Sequence, residues 1–302
     1  MQLLRAPALT ASVVAIGNFD GVHQGHQQLI TRLTEVVCDV KAPSVLLTFE
    51  PQPQEFFSTE KFPARLMRFF EKWVAIKNFH VDYVYVIRFT RFFSELTAED
   101  FVKKILIEKL HAKKIVIGDD FRFGKNRAGD VSLLKILGKK YGFDVEAISQ
   151  KMHDGERISS TRIRNALKIA DFDTVFALTG RPFCLSGKVA YGDQIGRTLG
   201  YPTANIYLRR KQVPLMGIFI ARVHGLSEQP LPGVASIGFR PTFDGKKIIL
   251  EVHLFDFDQL IYGQRITVEL IQKIRDEKRF DSTEALIAEI DRDAAIARAY
   301  FG

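Results

Sequence analysis

Only two cysteines occur in the 302 residues, Cys38 and Cys184, and they have no metal-binding spacing. That argues against a disulfide framework and fits a reducing compartment, so a cytoplasmic location is expected. No window approaches the roughly 18 uncharged apolar residues that a membrane-spanning helix needs. The opening MQLLRAPALTASVVAIG has a short apolar run, but neither the long apolar core nor the small-residue cleavage site of a secretory leader. Internal repeats and low-complexity tracts are missing as well. Acid is in deficit: 43 lysines and arginines face 35 aspartates and glutamates, a formal net charge of +8. That balance favours anionic small molecules such as nucleotides and phosphorylated metabolites. Nucleic acid is not expected, because the basic residues are scattered and no recognition motif is present.

What is present is apolar material for more than one modest core, 46% of the chain, which points to two domains. The first half alternates strand patterns at 12–17, 44–49, 81–87, 113–118 and 143–148 with helix patterns. The helix patterns fall at 26–37, 64–79, 97–110, 130–141 and 159–172, with Thr97 and Asp100 forming a capping pair. Apolar strands in βαβα order predict a parallel sheet covered by helices. The pattern changes at LTGRPF (178–183) to short alternating runs punctuated by glycine and proline. These predict an antiparallel sheet or closed barrel, followed by one amphipathic helix capped by Ser282. The expected boundary lies near residue 180, giving domains 1–180 and 181–302.

The segment GNFDGVHQGHQQLI (17–30) follows the first predicted strand and enters a helix near Gly25 and His26. Ligands of parallel sheets bind beyond the carboxyl ends of the strands, and a helix N-terminus offers unpaired N–H groups to an anion. His23 and His26 can donate to oxygens of a transferring phosphoryl group, with no protein nucleophile needed. The bland alternative is a polar turn; a zinc site would lack an evident third ligand. The glycine spacing fits neither a dinucleotide fingerprint nor a Walker A loop. Two later segments follow later strands. GDDFRFGKNRAGD (118–130) offers Phe121 and Phe123 to a planar ring, and RISSTRIR (157–164) offers Ser160, Thr161 and Arg164 to phosphates, with plain N-capping as the alternative.

In the second half, GKVAYGDQIGRTLGYPTANI (187–206) puts Thr203 and Asn205 on one side of an extended segment. A hydroxyl and an amide oxygen suit a magnesium ion that keeps its phosphate oxygens; turn capping is the alternative. In LEVHLFDF (250–257), Glu251 alternates with apolar Leu250 and Val252 and could take a proton from an attacking alcohol, or face solvent. His253 shares its parity.

GNFDGVHQGHQQLI, TFEPQPQEFF, GDDFRFGKNRAGD and RISSTRIR together resemble the adenylyltransferase module of bacterial bifunctional riboflavin kinase/FAD synthetases. His23-Gln24-Gly25-His26 matches the H-x-G-H hallmark of the nucleotidylyltransferase superfamily. GRTLGYPTANI, GVASIGFRPTF and LEVHLFDF resemble the riboflavin kinase barrel of the same family. The resemblance implies an enzyme that makes FMN from riboflavin and ATP, then FAD and pyrophosphate from FMN and a second ATP, with Mg2+. It implies that Asn18, His23, His26, Arg164, Ser160 and Thr161 hold ATP. Phe19, Gly25, Asp120, Phe121 and Phe123 would lie near nucleotide or flavin. Gly192, Gly196 and Arg197 would line the kinase nucleotide site, Thr203 and Asn205 would hold the metal and ATP, and Glu251 would activate the ribityl hydroxyl. The alternative is a single-activity nucleotidylyltransferase with a non-catalytic barrel. A monomer or weak homo-oligomer is expected, with no nucleic acid or membrane partner. Three departures stand out: Gln52 where the family usually has histidine between two prolines, Asn126 inserted between Lys125 and Arg127, and Phe219 where tyrosine is common.

Overall fold

The computed structural model describes the chain except residues 5–8, 59–61, 193–194 and 243–244; for residues 195, 197, 241–242 and 245–246 it describes the backbone alone. The chain forms two compact units, Met1–Pro63 with Met67–Ser160, and Ala64–Leu66 with Thr161–Gly302.

The first unit is built on six parallel strands: β1 (Gln2–Leu4), β2 (Ser12–Ile16), β3 (Ser44–Glu50), β4 (Tyr83–Arg88), β5 (Ala112–Gly118) and β6 (Asp144–Ile148). Their order across the sheet is β1-β4-β3-β2-β5-β6. The pleat sends successive side chains to opposite faces, and both faces are buried here. Val14, Ile16, Val45 and Leu47 enter one core cluster, while Val13, Ala15 and Leu46 enter the other. This explains why β2 is an unbroken apolar run. A hairpin of β7 (Met152–His153) and β8 (Glu156–Arg157) follows β6.

Several helices match the sequence expectation, and three differ for identifiable reasons. The Val131–Tyr141 helix is capped by Asp130, whose side chain accepts from Leu133 N–H, and ends at Gly142 with φ 75°. The helix expected over 64–79 is confined to Phe69–Lys77, because Arg68 is extended (φ −73°, ψ 163°) and its N–H is taken by Glu71 Oε2 at 2.6 Å. Thr97 accepts from Asp100 N–H at 3.0 Å as expected. After Ala98–Phe101, however, the helix widens into a π-helical stretch, Val102–Ile107. The helix expected over 159–172 is two: Ser160–Lys168, then Phe172–Thr179. Ala170 turns left-handed (φ 55°) between them, and Asp171 recaps the chain by accepting from Thr174 N–H at 2.9 Å.

The second unit is a closed antiparallel barrel of β9 (Cys184–Ala190), β10 (Thr203–Tyr207), β11 (Gly217–His224), β12 (Leu231–Thr242), β13 (Gly245–Leu254) and β14 (Arg265–Arg275), in the order β10-β13-β12-β11-β14-β9. Closure leaves no bare strand edge. Leu250 and Val252 are fully buried at 0% exposure, as their alternation with Glu251 predicts. The Thr283–Phe301 helix, capped by Ser282, packs Ala294, Ala297 and Phe301 against Ile220, Val234, Phe255 and Ile271. Among the described residues, no helix is long and apolar enough to cross a membrane.

Candidate active sites

Strand β2 delivers the chain into a loop with three left-handed residues, Phe19 (φ 48°), Gly21 (φ 81°) and Val22 (φ 39°). Two of the three are not glycine, so surrounding contacts must hold the turn. Phe19 does so from below: its ring is fully buried in the core, and a Cβ at Gly17 would come within 3.1 Å of it. Asp20, 2% exposed, accepts from Met67 N–H at 3.0 Å, while its carbonyl accepts from the Ser160 hydroxyl at 2.8 Å. That bond fixes the start of the ISST segment to the histidine loop. Gln27 Nε2 donates to Val22 O at 2.9 Å.

Sequence reasoning did not single out Lys72. It is 2% exposed, and its ammonium donates to the carbonyl of Asn18 at 2.8 Å. A buried ammonium is costly unless hydrogen-bonded, so this contact anchors the loop at its first residue. Lys72→Met is expected to cost the first unit about 1–3 kcal/mol through the under-satisfied carbonyl. The adjacent Trp73 is the sole tryptophan and gives the readout. Its fluorescence midpoint in urea should fall, and an unshifted midpoint would count against this anchoring role.

The loop ends at His23, which caps the Gln24–Glu35 helix: Nδ1 accepts from His26 N–H at 3.3 Å. The proton of the neutral His23 ring therefore sits on Nε2. The two imidazoles are stacked, with centroids 3.6 Å apart and planes at 15°. Gly25 permits this, since a Cβ there would meet the His23 ring at 3.3 Å. Both rings line a cleft of about 1000 Å³ together with Asn18, Gly25 and the Ile16–Gly17 strand end. Its far wall is aromatic. Phe121 and Phe123 stack at 5.5 Å, and Phe49, Phe89 and Phe93 continue the wall. Asp120 also lines the cleft and pairs with Arg157 at 2.5 Å. The arrangement offers a flat apolar slot for a planar ring beside a donor-rich helix entry for anionic oxygens.

The remaining expected residues of this half fall differently. Phe19 lies in the core beneath the cleft, its ring close to Gly17 and 5.3 Å between centroids from that of His26. Thr161 and Arg164 fall in the second unit, where Arg164 Nε donates to Ala64 O at 2.6 Å. Gln52 is buried at 5% exposure at the start of the short Pro53–Phe57 helix, its N–H bonded to Glu55 Oε2 at 3.1 Å. Asn126 adopts φ 54°, a conformation that asparagine tolerates better than most residues.

The barrel carries a second groove, about 1350 Å³ in volume. The β10–β13 register pairs Thr203 with His253 and Asn205 with Glu251, so all four occupy one face, and all four line the groove. Gly192 and Gly196 line it too; the side chain of Arg197 lies outside the described residues. Asn205 Nδ2 donates to Thr203 O at 3.4 Å. His253 Nδ1 donates to Pro202 O at 3.0 Å, so it braces the entry of β10. Glu251 is paired with Arg240, a residue sequence reasoning passed over within GFRPT. The end of β14 and the segment after it also line the groove. Arg275 is clasped by Asp293 at 2.6 Å, and Lys278 by Glu289 at 2.5 Å. The Lys278 hydrogen bond holds the Glu289 carboxyl below the usual carboxylate range. Among the described residues, no group of three or more His, Cys, Asp or Glu could hold a metal. A cation in this groove would need the neutral oxygens of Thr203 and Asn205 plus oxygens of its ligand, a donor set that suits Mg2+.

Residues 6–162 match the family model for FAD synthetase, and residues 179–301 that for riboflavin kinase. The chain is 47% identical over 290 residues to the bifunctional riboflavin kinase/FMN adenylyltransferase of Escherichia coli strain K12, covering 96% of this chain and 93% of that protein. The Pseudomonas fluorescens protein of the same description is 45% identical over 305 residues, covering 99% and 97%. Among solved structures, a Streptococcus pneumoniae chain described as a macrolide-efflux protein superposes with a TM-score of 0.80 at 32% identity, covering 97% of this chain and 96% of that one.

Proposed function

Because the chain belongs to the bifunctional riboflavin kinase/FMN adenylyltransferase family, it phosphorylates riboflavin to FMN and adenylylates FMN to FAD with ATP, and we propose which residues carry each step. The alternative of a non-catalytic barrel is set aside by the riboflavin kinase match over 179–301. The observation that carries the assignment is that each unit has its own groove holding one motif set: the stacked histidines in one, and Thr203, Asn205 and Glu251 in the other.

In the barrel, Glu251 accepts the proton of the riboflavin ribityl hydroxyl as its oxygen attacks the γ-phosphorus of ATP, and the bond from that phosphorus to the bridging oxygen breaks to release ADP. Thr203 and Asn205 supply neutral oxygens for Mg2+, which when bound would screen the phosphate charge. Gly192 and Gly196 keep the nucleotide side of the groove open. In the first unit, a phosphate oxygen of FMN attacks the α-phosphorus of ATP, and the bond to the β-phosphate oxygen breaks to release pyrophosphate. His23 and His26 donate to the oxygens that gain charge, with Asn18 and Ser160 holding the triphosphate. Phe121 and Phe123 cover the flavin ring. We place the functional boundary at Gly180, which ends the Phe172–Thr179 helix with φ 69°. We also propose a cytoplasmic monomer or weak homo-oligomer that engages neither nucleic acid nor membrane.

Time courses of riboflavin, FMN and FAD with the full chain, ATP and magnesium test the reading: FMN should appear first and FAD second. Failure to consume riboflavin would end it. Gly192→Ala tests the kinase groove sterically, because the added Cβ would sit 2.6 Å from Asn205 Nδ2 and 2.8 Å from its Cγ. The amide must shift, and a displacement of about 1 Å can cost roughly 100-fold. FMN formation should fall on that order, with FAD formation from supplied FMN intact. Normal kinase turnover in this variant would remove Asn205 from the metal–nucleotide assignment.

A further inference from the structure

On the kinase face of the barrel, two carboxylates stand within reach of one guanidinium. Ser236 of β12 is the cross-strand partner of Glu251, and Gly238 and Arg240 follow it on the same face. Arg240 reaches back along the strand and bonds Glu251. Glu277, from the segment after β14, lies directly over Gly238: any Cβ at that position would overlap its carboxylate. Glycine there makes room for a second acid between Arg240 and the neighbour of Glu251.

Arg275, the second cation that acts on Glu277, is already engaged. Arg275 holds Asp293 through Nε at 3.0 Å and Nη2 at 2.6 Å, and lies 3.3 Å from Glu289. Arg240, by contrast, has a side chain 51% exposed, with room to move. Burial pushes the Glu277 carboxyl above the usual carboxylate range and nearby Glu251 adds to the rise, while Arg240 and Arg275 oppose it. Glu277 would therefore gain from a closer cation. Arg240 bonds Oε2 of Glu251, and a guanidinium held there lowers the basicity of the carboxylate toward a hydroxyl proton.

We infer that Arg240 is a positioning residue shared between two carboxylates: it rests on Glu251 when riboflavin is absent and passes to Glu277 when the ribityl hydroxyl claims Glu251. This rests on Glu251 being the proton acceptor. The handover makes the empty site self-masked, so apparent riboflavin affinity is reduced by the fraction of molecules in which the mask is on. A mask in place nine times in ten lowers it about tenfold.

The test uses full-length Arg240→Met, Glu277→Gln, the double variant and Glu251→Gln. Riboflavin affinity is read by quenching of flavin fluorescence, and kcat and KM for phosphorylation are measured separately. FAD formation from supplied FMN reports that the chain is folded. Arg240→Met should tighten riboflavin binding by up to about tenfold. Glu277→Gln should weaken binding and raise KM for riboflavin, because the guanidinium has lost its second station. The double variant should follow Arg240→Met, since nothing then remains for Glu277 to draw away. Weaker binding in Arg240→Met, or a double variant as impaired as Glu277→Gln, overturns the handover. Undiminished phosphorylation by Glu251→Gln overturns the base assignment instead, so the two failures are distinguishable.

Discussion

His26→Ala is expected to slow FAD formation about 100- to 1000-fold while riboflavin phosphorylation continues at close to the unsubstituted rate. The imidazole is positioned three ways: by its place in the first turn of the Gln24–Glu35 helix, by its stack on His23 at 3.6 Å, and by the Phe19 ring at 5.3 Å. A donor held so firmly needs no reorganisation when charge builds on the α-phosphate, which is the condition under which one hydrogen bond counts most. Removing one such donor costs about 100- to 1000-fold in kcat. Loss of the stack adds to this, because His23 then has an open face and can tilt. The effect should appear in kcat for adenylylation, with the kinase step of the same molecules as internal control. Undiminished FAD synthesis by this variant would remove the histidine pair from the mechanism.

Glu251→Gln gives the mirror image: FMN formation falls by about 100- to 10,000-fold, the range for a lost general base, and FAD formation from supplied FMN persists. Glutamine keeps the shape and can still accept a hydrogen bond, so packing against Asn205 across the β10–β13 pair is preserved. What it lacks is the negative charge that makes a carboxylate both a proton acceptor and a partner for Arg240. The loss should lie in kcat rather than in KM for ATP, since the nucleotide is assigned to other residues. A variant that still turns riboflavin into FMN at the original rate would move the base elsewhere in the groove.

Much of this was legible in the sequence, because both sheets write their period into it. The unbroken apolar strands around β2 announce a sheet buried on both faces, and the alternation at Leu250, Glu251 and Val252 announces a barrel wall with one polar side. Caps at Thr97 and Ser282 were legible because a cap is a local bond within three residues. What escaped notice depends on distant chain. β1 is three residues long and, among the described residues, pairs with β4. The break at Ala170 follows from a left-handed residue that no propensity marks. Lys72 reads as an exposed helix charge until the chain brings Asn18 over it. Arg240 and Glu277 are ordinary surface types until β12 and the segment after β14 are laid side by side. The burial of the Phe19 ring under the loop was not legible in its motif.

The sheet order also sets a schedule for the nascent chain. β2, which carries the histidine loop, has β3 on one side and β5 on the other. The first flank is translated promptly, while the second waits for residues 112–118 to emerge. Until then one edge of the central strand keeps its backbone N–H and C=O groups unpaired, the kind of edge that invites pairing with a foreign chain. Ribosomes stalled between those points should therefore hold the form of this protein most in need of a chaperone.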